Sequence, residues 1–336
     1  MTVLFAGGRL DSLTVQSGTP TEVTTAGTFD PTYCDASVSL ATGQNVRVDQ
    51  LDASNAPTDL VSGDTGWYHC EVNFTSTGLP ANSNFLQVVD SAGNQWVSVR
   101  GGASAGILLL AYNSGTGASP TWTQLGTGST TIGGLVKVAV DLKVTLGSPH
   151  SAELYVNGTL VSSGTFTQSS FTSARGMRFL GQTNSARISQ LLITNNRSTI
   201  GAKVKYSRPS ASGGNSEWTG AVDNVNEAVN SDTTVDSATT AGLRQTYAMG
   251  DVTVPANYAI LSTFHFVRAK NDGAAPANIK SVVRQGTTNY DNSANFPGIG
   301  TGFVPLPARY DTNPATGTAW TESSFNSAEF GYLSVT

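Results

Sequence analysis

The chain is poor in charge. Asp, Glu, Lys and Arg make up 12% of its 336 residues. A disordered chain carries more charge and fewer aromatic residues, whereas Phe, Tyr and Trp reach 8% here. A packed core is therefore available. Positive charge is scarcer still, with 18 Lys and Arg against 23 Asp and Glu and a net charge of −5. The densest basic group is Lys203, Lys205 and Arg208. A nucleic-acid surface needs concentrated positive charge to displace counterions, so no nucleic-acid partner is expected.

Cysteine is nearly absent, with only Cys34 and Cys70. That excludes a disulfide scaffold. Each lies beside aromatic residues, as Tyr33-Cys34 and Trp67-Tyr68-His69-Cys70. The reading is two buried thiols acting as small hydrophobes, with a Cys34–Cys70 disulfide as the alternative. No run approaches the ~18 apolar residues of a membrane helix, and Ala105–Ala111 reads as a buried strand. The N-terminus lacks the basic region and long apolar core of a secretory signal. Folding in a cytoplasm, without membrane insertion, is the expectation.

Helical periodicity is missing as far as Ile200. Two-residue alternation and 36 glycines stand in its place. The passage Val140–Gly164 holds two alternating apolar runs joined at Gly147-Ser148-Pro149, and the second contains Asn157-Gly158. That pattern belongs to antiparallel sheet. Val136–Leu142 and Ala152–Val161 form its two arms. Tyr68, Cys70, Val72 and Phe74 should face a core, with Trp67, His69, Glu71 and Asn73 facing out. Phe85–Val89 and Trp96–Arg100 flank a hairpin loop at Asp90–Gln95. Met177–Leu180 and Ile188–Ile193 add strands, and Val3–Phe5 is expected to pair back into the sheet.

The polar segment Tyr206–Ser216 reads as a loop at a domain boundary. Beyond it, Thr246–Val254, Ala259–Arg268, Ile279–Arg284 and Phe330–Val335 read as strands. Phe325–Phe330 can form one helical turn with Thr321 as its cap. The expected fold is all-β, with two β-sandwich, jelly-roll-like domains at residues 1–203 and 204–336.

Chemistry is sparse in this pattern. The nearest acid pairs are Asp49/Asp52, Asp223/Glu227 and Asp232/Asp236, all among turn residues. Each reads as a solvated loop or local cap and not as the acid pair of a glycosidase. Asp141 and Glu153 fall on separate strands without a carboxylate partner. The histidines are His69, His150 and His265, none at metal-ligand spacing. His69 is placed on an outward face, His150 in a turn and His265 on a sheet surface. No Gly-x-Ser-x-Gly elbow occurs. No catalytic residue, metal or cofactor is expected. Asp90 and Asn157 are conceivable calcium donors, but a lone turn Asp more often bonds its own backbone. For glycan stacking the candidates are Tyr112 and Trp122, at the two ends of a long polar loop. The alternative is that both close the end of a core.

Trp67–Phe74, Phe85–Gly93, Val140–Val144 and Ala152–Val161 resemble the concanavalin A-like (laminin-G-like) lectin/glucanase domain of tailed-bacteriophage virion proteins. Leu4–Leu13 is similar to the start of such proteins. Arg208–Gly220, Asp223–Ala228, Ser281–Asp291, Asp311–Glu322 and Ala328–Gly331 resemble a recurrent phage surface module. The resemblance implies a non-enzymatic structural component of the virion: a head decoration, spike or tail-associated protein. It would be assembled in the host cytoplasm, homo-oligomeric, and in contact with other virion proteins and with host-surface glycan. A glycan-binding adhesin and a glycan hydrolase are the alternatives.

Overall fold

Alternation decides which side of each strand is buried, and the two sides are sharply sorted here. The computed structural model describes residues 2–24, 32–34, 36–74, 78–134, 136–183, 185–229, 231–273, 276–296 and 299–336. The chain forms two units. The first is Met1–Leu51 with Pro57–Val204, and the second is Asp52–Ala56 with Lys205–Thr336.

Strands of the first unit begin with β1 (Thr2–Gly7), β2 (Thr14–Ser17), β3 (Thr21–Val23), β4 (Ser37–Leu40), β5 (Asn45–Asp49) and β6 (Leu60–Val61). Next come β7 (Thr65–Phe74), β8 (Asn84–Val89), β9 (Gln95–Gly101), β10 (Ile107–Asn113), β11 (Trp122–Thr131) and β12 (Lys137–Thr145). The unit ends with β13 (His150–Val156), β14 (Thr159–Phe166), β15 (Ser173–Ala174), β16 (Gly176–Leu180) and β17 (Ala186–Asn195). An eight-stranded sheet runs β14-β13-β12-β7-β17-β4-β3, with β1 also on β17. A seven-stranded sheet runs β11-β10-β9-β8-β16-β5-β2. All these pairings are antiparallel. The sheets meet through Phe74 of β7, whose ring is 5.2 Å from Phe85 of β8, and Phe85 lies 5.6 Å from Phe179 of β16, both edge to face. All three rings are buried, and such contacts add to their large apolar burial.

The expected run Ala152–Val161 is not one strand. Asn157 (φ +49°) and Gly158 (φ +76°) turn the chain between β13 and β14, as Asn-Gly does in a two-residue hairpin whose central residues both need positive φ. Cys34 and Cys70 are both free and buried, so the disulfide alternative falls. Burial, aided by nearby Asp141, pushes the Cys70 thiol well above its ordinary pKa; it packs as an inert hydrophobe.

The second unit holds β18 (Pro209–Ser216), β19 (Arg244–Met249), β20 (Thr263–Ala269), β21 (Asn278–Gln285), β22 (Thr288–Asp291), β23 (Val304–Tyr310), helix α1 (Glu322–Asn326) and β24 (Ala328–Val335). A five-stranded sheet runs β18-β19-β24-β21-β22, and β20 pairs with β23 as a ribbon. Tyr247, Ile279 and Tyr332 from the sheet pack with Val267, Leu306 and Ala308 from the ribbon. The all-β class is as expected. Thr321 caps α1: its hydroxyl accepts from Ser324 N at 3.1 Å, and Ser324 Oγ accepts from Thr321 N at 2.9 Å, a reciprocal box.

Several expectations fail in this unit. The helical turn expected at Phe325–Phe330 lies at Glu322–Asn326, and Ala328–Phe330 opens β24. The strand expected at Thr246–Val254 ends at Met249, and the one expected at Ala259–Arg268 opens at Thr263. Pro209–Ser216, read as loop, is an edge strand whose pairing shifts register after Pro209 and after Ser212. An edge tolerates the proline and glycines that a central strand would not. His265 is half-buried on the side of β20 that faces the core and not on an open sheet surface. Its Nδ1 lies 2.8 Å from Ser281 Oγ, and its ring is 5.8 Å from that of Phe330. Phe264 and Phe266 take the other face of β20, their rings stacked 6.3 Å apart.

Burial lowers the His265 pKa to about 4. The unfolded chain titrates this residue near 6.5, so between these values the unfolded state binds more protons. Stability is therefore full above pH ~6.5 and falls as pH drops toward 4. Urea midpoints measured from pH 7 to 5 should decline, and His265→Phe should remove most of that slope. An unchanged slope in the variant contradicts the assignment.

Candidate functional site

Chemistry in a sandwich of this kind is confined to the outer faces of the sheets, and the two faces of the first unit are unlike. On the eight-stranded sheet, Trp67, His69, Glu71 and Asn73 point outward as expected but are buried. The segment 198–204 lies across them. Asp141 pairs with His69 in the β12–β7 register. Its Oδ1 is 2.7 Å from His69 Nδ1 and accepts from Thr199 Oγ1 at 2.6 Å. Glu71 takes Lys203 Nζ at 2.7 Å, with Lys137 Nζ at 3.6 Å. Gln190 adopts φ +50° at a bulge in β17, and its Oε1 accepts from Val204 N at 3.3 Å. Each charge here has a partner, although His69 Nε2, Ser189 Oγ and Gln190 Nε2 are buried without one. This layer fastens segment 198–204 to the sheet. Glu153 is likewise engaged, by Lys143 at 2.7 Å and by the Tyr155 hydroxyl.

The seven-stranded sheet carries something the sequence reading missed. Gln124, Ala111, Ser98, Gln87, Arg178, Arg47 and Thr14 pair in turn across β11, β10, β9, β8, β16, β5 and β2. Directly paired residues share a face, so this is one continuous row spanning the sheet. Its flanking residues Val46, Val48, Leu86, Val88, Val97, Val99, Met177 and Phe179 are buried on the opposite face. Arg47 Nε bonds Asp49 Oδ1 at 2.5 Å, and its Nη2 donates to Asp90 O at 3.0 Å. Gln87 is fully buried; its Nε2 donates to Gln95 Oε1 at 2.6 Å while its own Oε1 has no partner. Arg178 Nε and, further along the face, Arg100 Nε are buried without a partner. Burial, then the neighbouring Arg47 cation, lowers the Arg178 pKa, though guanidinium stays charged near neutral pH. A signal existed: each of Arg47, Gln87, Ser98 and Arg178 stands between two apolar residues. Alternation of that kind ordinarily marks a solvated face, and only burial distinguishes this one.

Trp122 and Tyr112 do not form a joint platform. Trp122 pairs with Asn113 and Tyr112 with Thr123, which puts the two rings on opposite faces. Tyr112 lies on the core side, stacked on Phe166 at 4.9 Å. Phe166 in turn lies 5.2 Å from His150, which opens a strand and is not in a turn as expected. Trp122 is half-buried on the outer face, with the Arg100 guanidinium 6.0 Å from its ring.

The acids of the sequence pairs have other partners. Besides Asp49, Asp52 accepts from Ser54 N and Ala56 N. Asp232 makes a two-pronged pair with Arg268 at 2.7 and 2.8 Å. Asp236 accepts from Tyr332 at 2.5 Å and from the Tyr247 hydroxyl. Asp90 takes Asn94 N at 2.9 Å and Trp96 Nε1 at 3.1 Å. Asn157 Oδ1 accepts from Ala139 N at 2.9 Å.

No protein-family model matches the chain, and no curated protein matches it in sequence. Among solved structures it is similar to the globular domain of T. cruzi calreticulin at 9% identity and TM-score 0.43, over 58% of this chain and 89% of that one. It is also similar to an endo-β-1,4-glucuronan lyase from Trichoderma reesei at 12% identity and TM-score 0.40, over 57% and 95%. The alginate lyase AlgAT5 of polysaccharide lyase family 7 is similar at 13% identity and TM-score 0.33, over 48% and 79%. The chain's own topology, two antiparallel sheets of eight and seven strands in the first unit, is a β-sandwich. These likenesses are too distant to carry an argument about activity. Polysaccharide lyases recur among them, so the fold does not mark a non-enzyme, and that expectation is corrected.

The buried layer under segment 198–204 gives a direct test. Asp141→Ala would strand His69 and the Thr199 hydroxyl in a dry setting and should cost about 3–5 kcal/mol. Denaturation of the variant measures it; a loss below about 1 kcal/mol would show that the layer is not a fastening.

Proposed function

We propose that the first unit binds carbohydrate on the outer face of its seven-stranded sheet. The observation that carries this is the row from Gln124 to Thr14, which spans all seven strands and presents an exposed amide at Gln124 and a half-buried guanidinium at Arg178. Sugars present dense hydroxyls and apolar ring faces. Gln124 and Arg178 supply partners for the hydroxyls, and Trp122 at the edge offers a ring for stacking.

The resemblance of Arg208–Gly220 and Asp311–Glu322 to phage surface modules supports a particular setting. In it the chain sits on a virion as a homo-oligomer among other virion proteins, and its first unit meets host-surface glycan. Localisation of the protein in purified particles by gold-labelled antibody tests that setting separately from sugar binding.

A glycan array probed with the full chain should give binding, and Trp122→Ala should weaken it about tenfold, a change of about 1.4 kcal/mol. Tyr112→Ala should act through stability, since its ring is stacked on Phe166. Absence of binding to every glycan would remove the reading. Release of sugar fragments during incubation would add catalysis to it.

A further inference from the structure

We propose that Lys137 and Asn73 join spontaneously in an intramolecular amide bond across β12 and β7, with Glu71 as the base.

Three residues stand in one row on the outer face of the eight-stranded sheet. Lys137 on β12 is the direct cross-strand partner of Asn73 on β7, and Asn73 is in turn the partner of Arg187 on β17. Cβ atoms of such partners lie about 4.5–5.5 Å apart, so the lysine stem can carry its amine to the amide carbon opposite. The other strand lysines have no asparagine beside them: Lys143 faces Trp67 and Glu153, and Lys280 faces Leu333. Asn73 is buried, and among the described residues no hydrogen bond holds its side-chain amide.

Glu71 completes the set. It is buried on the same face of β7, two residues from Asn73. Lys203 Nζ donates to its Oε1 at 2.7 Å. Its Oε2 is buried without a hydrogen bond and lies 3.6 Å from Lys137 Nζ. That separation is longer than a hydrogen bond, so Nζ is near a base and still able to turn toward Asn73. The Lys137 side chain is 36% exposed, which leaves a way out for the product.

The chemistry balances without an oxidant or a co-reactant. Glu71 Oε2 takes a proton from the ammonium, and the neutral amine attacks Asn73 Cγ. The Nζ–Cγ bond forms and the Cγ–Nδ2 bond breaks. Of the two protons that the ammonium sheds, Glu71 relays one to the departing nitrogen, which leaves as ammonia, and the other goes to water. Negative charge develops on Asn73 Oδ1 along the way, and Arg187 supplies a cation on the far side of the row to meet it. The rigid sheet removes the entropy of bringing these groups together. The bond clasps two central strands and closes the loop from Phe74 to Val136. Cys34 and Cys70 are free, so the amide would constrain the unfolded chain as a disulfide does elsewhere.

Intact-mass measurement of the full chain after incubation in mildly alkaline buffer, followed by peptide mapping, tests this. The wild type should become lighter by one ammonia and yield a branched peptide joining Lys137 to Asn73. A succinimide at Asn157-Gly158 would also shed ammonia, so the branched peptide decides. Lys137→Arg keeps the cation beside Glu71 and should give no branched peptide. Glu71→Gln should slow its formation about a hundredfold. The reacted wild type should melt at a higher temperature than Lys137→Arg, and wild type held unfolded in urea should not react. Absence of the branched peptide from folded wild type after prolonged incubation overturns the proposal. Formation at an undiminished rate in Glu71→Gln overturns the role of the base, and a branch from Lys203 in place of Lys137 overturns the choice of nucleophile.

Discussion

Phe74, Phe85 and Phe179 meet edge to face between the two large sheets, and this apolar contact sets the faces of everything else. Once one side of each strand is committed to the inter-sheet layer, two-residue alternation forces every intervening residue outward. Val46, Met177, Leu86 and Val97 go in; Arg47, Arg178, Gln87 and Ser98 go out, each from a strand adjacent to the next. The polar row is thus a geometric consequence of core packing combined with register. A shift of one residue in any of these pairings would break it.

The same constraint acts on the eight-stranded sheet, with a different result. There the outward polar residues are roofed by segment 198–204, and the charges find partners within the layer: Asp141 with His69 and Thr199, Glu71 with Lys203. Burying a charge is tolerable when its pair is buried with it, and the arrangement then holds the roof down. On the seven-stranded sheet the pairing is incomplete, because Asp49 satisfies Arg47 and, among the described residues, no carboxylate pairs with Arg178 and its Nε is unpartnered. Both faces keep buried polar atoms without partners, but the eight-stranded one is fastened under a crossing segment by Thr199 and Lys203.

Much of this was legible in the chain. Alternation through Tyr68–Phe74 and around Val88 and Val97 gave the strands and their inward faces, and Thr321 gave the cap of α1, although the helix runs Glu322–Asn326 and not Phe325–Phe330. What failed did so for identifiable reasons. Asn157-Gly158 reads as part of a run until its positive φ values turn it. Pro209–Ser216 has loop composition but sits at a sheet edge, where composition is permissive. His265 was placed outside because alternation gives two opposite phases, and its phenylalanine neighbours made the wrong phase attractive. The row through Arg178 was invisible because it depends on pairing residues as far apart in sequence as Arg47 and Arg178, and on burial that no local pattern reports. Tyr112 and Trp122 looked like partners by spacing along the chain, yet the β10–β11 register sends them to opposite faces.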